Sequence, residues 1–502
     1  MSELEKYFNR YRQNIIGIDA EIETPCGIKK LIYADWIASG RLYNPIEKRI
    51  TEDIGPMVGN THSESTATGK AMTDAYHHAQ MITKHHVNAG NNDVLLFTGT
   101  GMTSAIAKLQ RILGLKVPEQ ALNFCAYNRG DHLQCKDIPN KNRPVVFLTH
   151  TEHHSNHTSW FETLADVVVL EPSSDLTVNP EALRKEIVKY KERPLLIGSF
   201  TACSNVTGYL PPYYELAQIM HEHNGYCFVD FAASAPYVDI DMHPADKMHQ
   251  LDAIFFSPHK FLGGPGSAGV LIFNKELYKN DIPDSPGGGT VKWTNRWGGY
   301  RYFSDIEVKE DGGTPGFIQG IKAALAVTLK ENMGTGKIHE RENELIELTF
   351  RELSKIKNLH ILAGNVKERL GVFSFYVDKI HHNLITILLN DRFGIQVRGG
   401  CSCAGTYGHF LLNVDFKLSK EITDKIDAGD LSMKPGWIRL SLHPTMTDDE
   451  LLYITDAIKQ TVDNAEEWQK DYSYDKRTNE FIHRKFNERS ISDYSHWFNL
   501  IT

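Results

Sequence analysis

Between residues 91 and 273, seven short apolar runs alternate with stretches of helical character. The runs fall at 94–97, 145–148, 167–170, 195–199, 227–230, 253–256 and 269–273. They are rich in Val, Ile, Leu and Phe and lack polar–apolar alternation, so the sheet they build must be covered on both faces. Helical signals at 103–113, 180–190 and 212–223 lie between them. Such alternation specifies an α/β fold with a mostly parallel seven-stranded sheet. Right-handed crossovers then bring the loops that follow the strands to one edge, where ligands bind.

The chain has 502 residues, enough for more than one domain. A Gly- and Pro-rich stretch, 283–320, separates the α/β region from a different pattern: a long helix from residue 321, then strand-like runs at 372–377 and 437–442. We therefore expect an N-terminal segment (1–60) serving the small domain and the active site, a large domain (61–320), a smaller α+β domain (321–466) and a helical C-terminal extension (467–502). Residues 118–144 have weak periodicity and read as a loop insertion.

Charge narrows the function. Fifty-four basic against 63 acidic residues give −9, without the basic footprint of a nucleic-acid binder. No apolar run approaches the roughly 18–20 residues of a membrane span, and the start, MSELEKYFNRYRQN, has no apolar signal region. Seven cysteines are scattered through the chain without a disulfide framework. The expectation is a cytoplasmic protein that handles a small molecule, with neither membrane nor nucleic-acid partners.

Four loops at predicted strand ends carry chemistry. Ser257-Pro258-His259-Lys260, followed by FLGGPG, places a lysine among small residues; this suits Schiff-base formation with a carbonyl cofactor, and equally an exposed lysine in a Gly-rich loop. Phe228-Val229-Asp230 ends a strand in a carboxylate, which either pairs with a pyridine nitrogen or caps the next segment. Thr98-Gly99-Thr100-Gly101-Met102-Thr103 opens a helix and forms a phosphate cradle, with a dinucleotide loop as the rival explanation. Thr151-Glu152-His153-His154-Ser155-Asn156-His157 clusters histidines; a metal site, a hydrogen-bonded cluster and a ring stacked on a cofactor are the three readings, and no convincing set of metal ligands accompanies it.

The order GTGMTSAI, TEHHSNHTSW, SNVTG, FVDFAASAPY, SPHKFLGGPGSAGVL, GGTPG, RGGCSCAG and WIRLSLHPT, with YADWIASG near the start, resembles the class V aminotransferase family of fold-type I pyridoxal-phosphate enzymes. It is most similar to the cysteine desulfurase and selenocysteine lyase branch. The resemblance implies pyridoxal 5'-phosphate as cofactor and a small amino acid as substrate. Lys260 would bond the cofactor, Lys260 or His153 would move the substrate proton, Asp230 would pair with the ring nitrogen, and His153 would stack on the ring. Gly101, Met102, Thr103, Ser257 and His259 would hold the phosphate, with Asn205 near the phenolic oxygen or the substrate. Thr314 would reach the phosphate of a neighbouring subunit, implying a homodimer with shared sites. Arg439 would clamp the substrate carboxylate, unless it serves only as a structural ion pair, and His62 joins the substrate-binding set.

Within the loop Arg398-Gly399-Gly400-Cys401-Ser402-Cys403-Ala404-Gly405, Cys403 occupies the position of the mobile cysteine that attacks sulfur in this branch. Arg398 would favour its thiolate. The implied reaction leaves a Cys403 persulfide and alanine, with a sulfur-acceptor protein as a possible partner. Transamination, epimerisation, a kynureninase-like reaction and C–S lyase cleavage are the alternatives within the family. Two positions depart from the branch: Ala233 stands where a Gln or His is usual, and Cys401-Ser402 where His-His is frequent. The Cys-x-Cys pair could form a redox link, bind a metal, or reflect another substrate.

Overall fold

The computed structural model describes residues 2–61, 64–121, 140–485 and 494–500. His62, and most of the insertion expected at 118–144, lie outside the described residues. Helix α1 (Glu3–Arg12) opens the chain, and α2 (Ala67–His86) leads into the large domain. There follow β1 (Asp93–Thr98), α3 (Met102–Ile112), β2 (Val145–Leu148), α4 (His154–Phe161), β3 (Asp166–Val169), α5 (Pro180–Ile187), β4 (Leu196–Thr201), α6 (Tyr213–Glu222), β5 (Tyr226–Asp230), β6 (Ala253–Phe256) and β7 (Gly269–Asn274). All seven expected strands are present, with ends within two residues of the apolar runs.

The sheet order is β1-β7-β6-β5-β4-β2-β3. Neighbours from β6 to β3 are parallel, whereas β7 is antiparallel to both β1 and β6. The connection from β6 to β7 has no crossover helix, so the chain returns antiparallel. Because β1 and β6 then run the same way, the segments after β1, β2, β4, β5 and β6 all emerge at one edge. Leu183, Ile187, Leu216, Met220 and Val327 pack on one face, against Phe147, Phe200, Val229 and Ile254. Met102, Ala105, Ile106, Leu109 and Ile112 of α3 share a helical stripe, and with Trp160 they cover Leu148, Phe228 and Phe255 on the other. Each such large apolar side chain contributes roughly 1.5–3 kcal/mol on burial.

Beyond the Gly/Pro-rich stretch, α7 (Phe317–Met333) packs on α2, and α8 (Thr335–Leu353) follows after a break at Gly334, whose φ is +79°. The second sheet comprises β8 (Leu359–Ile361), β9 (Val372–Val377), then α9 (His382–Phe393), β10 (Arg398–Gly400) and β11 (Trp437–Ser441). Its order is β8-β9-β11-β10, all antiparallel. Helix α10 (Asp448–Trp468) closes this layer, and its Leu451 and Ile454 share a core with Phe8, Trp36, Tyr43 and Phe373. The C-terminal extension, expected to be helical, instead forms a hairpin of β12 (Tyr472–Asp475) and β13 (Glu480–His483), followed by a short 3-10 turn at Tyr494–Phe498. Tyr472 is buried there and donates to Asp391 Oδ2 at 2.7 Å, so the side chains on one face of the hairpin, not those of a helix, seal the end of α9. Among the described residues, no helix is long and apolar enough to cross a membrane.

The segment 32–41 joins the two domains. Ile32–Tyr33 pairs in parallel with Ile395–Gln396, and Ser441 N–H donates to Ala34 O at 2.8 Å. Six residues on, Gly40 N–H donates to His259 O at 2.9 Å, in the turn that carries Lys260. A Cβ at Gly40 would lie 1.9 Å from Phe261 O, which forces the two backbones apart. We therefore expect Gly40→Ala to cost about 1–3 kcal/mol in urea unfolding; unchanged stability would show that this approach is not tight.

Candidate active site

The common edge of the large sheet faces β10 and β11 across a cavity of about 280 Å³. Of the residues singled out in the sequence, Gly101, Met102, Thr103, His153, Asn205, Asp230, Ser257, His259, Lys260, Cys403 and Arg439 line it. Thr314 does not: it sits on an exposed loop, where its hydroxyl donates to Asn60 Oδ1 at 3.3 Å.

Lys260 ends a 3-10 turn, Pro258–Lys260, directly after β6. Burial draws its ammonium down to about 8, with the charge of Asp230 acting in the opposite direction. Asp230 ends β5 almost wholly buried; burial raises its carboxyl to about 6, against a hydrogen bond from Ala232 N–H to Oδ1 at 2.8 Å. His153 caps α4, its Nδ1 accepting from Ser155 N–H at 3.1 Å. Burial, aided by the positive charge of Lys260, lowers its imidazole to about 3, so the ring is neutral at physiological pH.

Glu152, which the sequence showed only as part of a motif, anchors that loop. Its carboxyl accepts from Thr149 Oγ1 at 2.6 Å, Asn156 Nδ2 at 2.7 Å and Thr201 N–H at 3.0 Å, and burial pushes it up to about 7. These bonds tie the end of β2 to β4 and fix where His153 points.

At the other end of the cavity, Met102 N–H donates to Ser257 Oγ at 2.9 Å, and His259 Nδ1 lies 2.8 Å from Thr100 O. A Cβ at Gly101 would meet His259 Cε1 at 2.9 Å and Ser257 Oγ at 3.0 Å, so glycine is what lets these loops close on the N-terminus of α3. Gly101 gives that terminus no side-chain cap, and although Ser257 Oγ takes the Met102 amide, the positive end of the helix still faces the cavity, where it favours an anion.

Arg439, on β11, is buried. Its Nη2 donates to Asp35 Oδ1 at 2.7 Å and its Nη1 to Asn205 O at 3.2 Å, while Nε has no partner. Asp35 Oδ2 also accepts from Arg398 Nε at 2.9 Å. One carboxylate thus orients two guanidiniums at the cavity wall. Asp35 was missed in the sequence because nothing adjacent to it announces a partner. Asn205 Nδ2 donates to Ser402 O at 2.7 Å, and its Oδ1 is buried without a partner. Cys403 is exposed at the cavity mouth, and its carbonyl accepts from His154 N–H at 2.9 Å.

This donor set fits pyridoxal phosphate. A lysine serves the aldehyde and a buried carboxylate the ring nitrogen. A neutral imidazole suits the ring face, the Asn205 amide a ring or substrate oxygen, and an uncapped helix start the phosphate. Among the described residues, no group of three His, Cys, Asp or Glu side chains is arranged to hold a metal ion.

Comparison with known proteins agrees with this geometry. The family described as aminotransferase class-V matches residues 32–454. A probable cysteine desulfurase of Staphylococcus epidermidis is 28% identical over 384 residues, covering 76% of this chain and 85% of that protein. One from Halalkalibacterium halodurans is 26% identical over 379 residues, covering 74% and 84%. Among solved structures, the apo cysteine desulfurase of Thermococcus onnurineus superposes with a TM-score of 0.70 at 20% identity, over 91% of this chain and 98% of the other. An Escherichia coli cysteine desulfurase in its S-sulfonic acid form gives 0.68 at 20%, with the same coverage. The fold is that of the fold-type I pyridoxal-phosphate enzymes.

Two outcomes follow from the geometry. Asp35→Ala strands the buried Arg439 and is expected to cost about 3 kcal/mol in urea unfolding; a loss near zero would show that solvent already screens the pair. Only the neutral amine of Lys260 attacks an aldehyde, and that form grows as pH rises through its pKa. The rate at which cofactor-free protein takes up pyridoxal phosphate, followed by absorbance, should therefore rise through about pH 8 and level off above it. An ordinary lysine would still be gaining rate near pH 10.

Proposed function

We propose that this chain, which belongs to the class V aminotransferase family, is a cysteine desulfurase-like enzyme that moves sulfur from a small amino acid to Cys403 and leaves alanine. The observation that carries the reading is the position of Cys403, on the wall of the same cavity as Lys260, Asp230 and Arg439. A transamination or epimerisation would have no use for an exposed thiol there.

Bound pyridoxal phosphate supplies an electron sink for the pair released at the substrate Cα. Lys260 and Asp230 would hold it at its aldehyde and its ring nitrogen, His153 would support its ring, and the start of α3 with Ser257 and His259 would take its phosphate. Arg439, held at the cavity wall by Asp35 and the Asn205 carbonyl, takes the substrate carboxylate. With His153 held neutral, the proton at Cα passes through Lys260 Nζ, whose pKa lies within reach of neutrality. Cys403 attacks the substrate sulfur as the thiolate. The S–S bond forms and the C–S bond breaks. The pair left on carbon is protonated, giving alanine and a cysteine persulfide. The working unit in this reading is a homodimer with shared sites, in which Thr314, exposed and outside this cavity, would reach the phosphate held by a second copy.

Incubation of the loaded protein with L-cysteine and a reductant tests the reading. Alanine and sulfide should form in equal amounts, and Cys403→Ser should lower the rate by about three orders of magnitude. Pyruvate with sulfide, undiminished in Cys403→Ser, would show C–S lyase cleavage instead.

A further inference from the structure

The second cysteine of the Cys-x-Cys loop has no part in the reaction above, and its placement is specific. Cys401, Ser402, Cys403 and Ala404 form a tight turn in which Ala404 N–H donates to Cys401 O at 3.2 Å. Both central residues lie in the left-handed region, with φ of +51° at Ser402 and +57° at Cys403. Two positive φ values in succession define a primed turn, which normally needs Gly, Asn or Asp. Here a serine and a cysteine are held in it from both sides. Asn205 Nδ2 donates to Ser402 O at 2.7 Å, His154 N–H to Cys403 O at 2.9 Å, and Gly405 N–H to His154 Nε2 at 2.9 Å. These are backbone anchors, and both thiols are left free.

The turn sets the distance between the two cysteines. An extended chain would separate their Cα atoms by roughly 7 Å. A left-handed residue between them contracts that separation into the roughly 4.4–6.8 Å that a disulfide spans. Their surroundings differ. Cys403 is exposed on the cavity wall, whereas Cys401 is half-buried against Trp437 and Tyr407. One thiol lines the cavity, and the other lies two residues away across the turn, among the side chains of the small domain.

We infer that Cys401 is a resolving thiol that discharges sulfur from Cys403 within the loop, so that the protein releases inorganic sulfide without needing an acceptor protein. This rests on the function proposed above. The Cys401 thiolate attacks Sγ of the Cys403 persulfide, the Cys401–Cys403 bond forms, and the outer sulfur leaves as hydrosulfide with the electron pair of the broken S–S bond. The outer sulfur is reduced and the two thiols are oxidised, so the step needs no external oxidant. Hydrosulfide is a weakly basic leaving group, which favours attack on the inner sulfur. A dithiol reductant then reopens the pair, which makes turnover depend on the thiol supply.

The test is one turnover of pyridoxal-phosphate-loaded protein with limiting L-cysteine and no added thiol. Alanine, free sulfide and the mass of the peptide bearing both cysteines are read together. Wild type should release about one sulfide per alanine and leave the peptide about 2 Da lighter, as a disulfide. Cys401→Ser should release less than about a tenth of a sulfide per alanine and leave the peptide about 32 Da heavier, as a persulfide. Alanine with sulfur retained on the wild type, or equal sulfide release from Cys401→Ser, would overturn the resolving role alone. Absence of alanine from wild type would contradict the desulfurase reading itself, and with it the persulfide that this step consumes.

Discussion

The short N-terminal segment that crosses from the small sheet to the Lys260 turn is the constraint on which the rest of the site depends. Its backbone is bonded to β11 at Ala34 and to the Lys260 turn at Gly40, and between them Asp35 holds both Arg439 and Arg398. The cavity is built from two sheets that share no strand, so its width is set by what bridges them. Backbone hydrogen bonds fix that bridge in length, and a carboxylate shared by two guanidiniums fixes its orientation. An ion pair of this kind is a poor source of net stability, because desolvation offsets its attraction. Its value here is positional: it holds the guanidinium of Arg439 at the cavity wall.

Burial then sorts the titratable groups of that cavity by role. It draws Lys260 down to about 8 and lifts Asp230 to about 6, so both lie close to neutrality. The same burial takes His153 to about 3, where it can no longer lend a proton. Environments that separate the groups in this way leave a lysine and a carboxylate near neutrality beside a neutral imidazole, the division that the proposed reaction needs. The residue types are ordinary; their depth beneath the sheet edge gives them different tasks.

The large sheet was legible because its strands are unbroken apolar runs bounded by turn residues, and their order along the chain places their ends together. Asp230, Lys260 and His153 were legible for the same reason, each standing at or just past such a run. Asp35 was not: its partners lie 363 and 404 residues away, and a lone carboxylate between Ala34 and Trp36 gives no local sign of them. Glu152 was hidden among the histidines beside it, although it carries the bonds that aim them. The C-terminal hairpin was read as helix because its alternation, Tyr-Ser-Tyr-Asp and Glu-Phe-Ile-His, is only four residues long on each side and rich in charge. There the packing of Tyr474 on Phe481, with ring centroids 4.8 Å apart, decides the local structure.

The central claim is that this cavity, through Lys260, is where the chain holds its cofactor. Borohydride reduction of protein incubated with pyridoxal phosphate, followed by peptide mapping, tests it most directly. The account predicts one pyridoxyl group per chain, on the peptide that contains Lys260, and none on Lys260→Ala. A label on another lysine, or equal labelling of the variant, would contradict it.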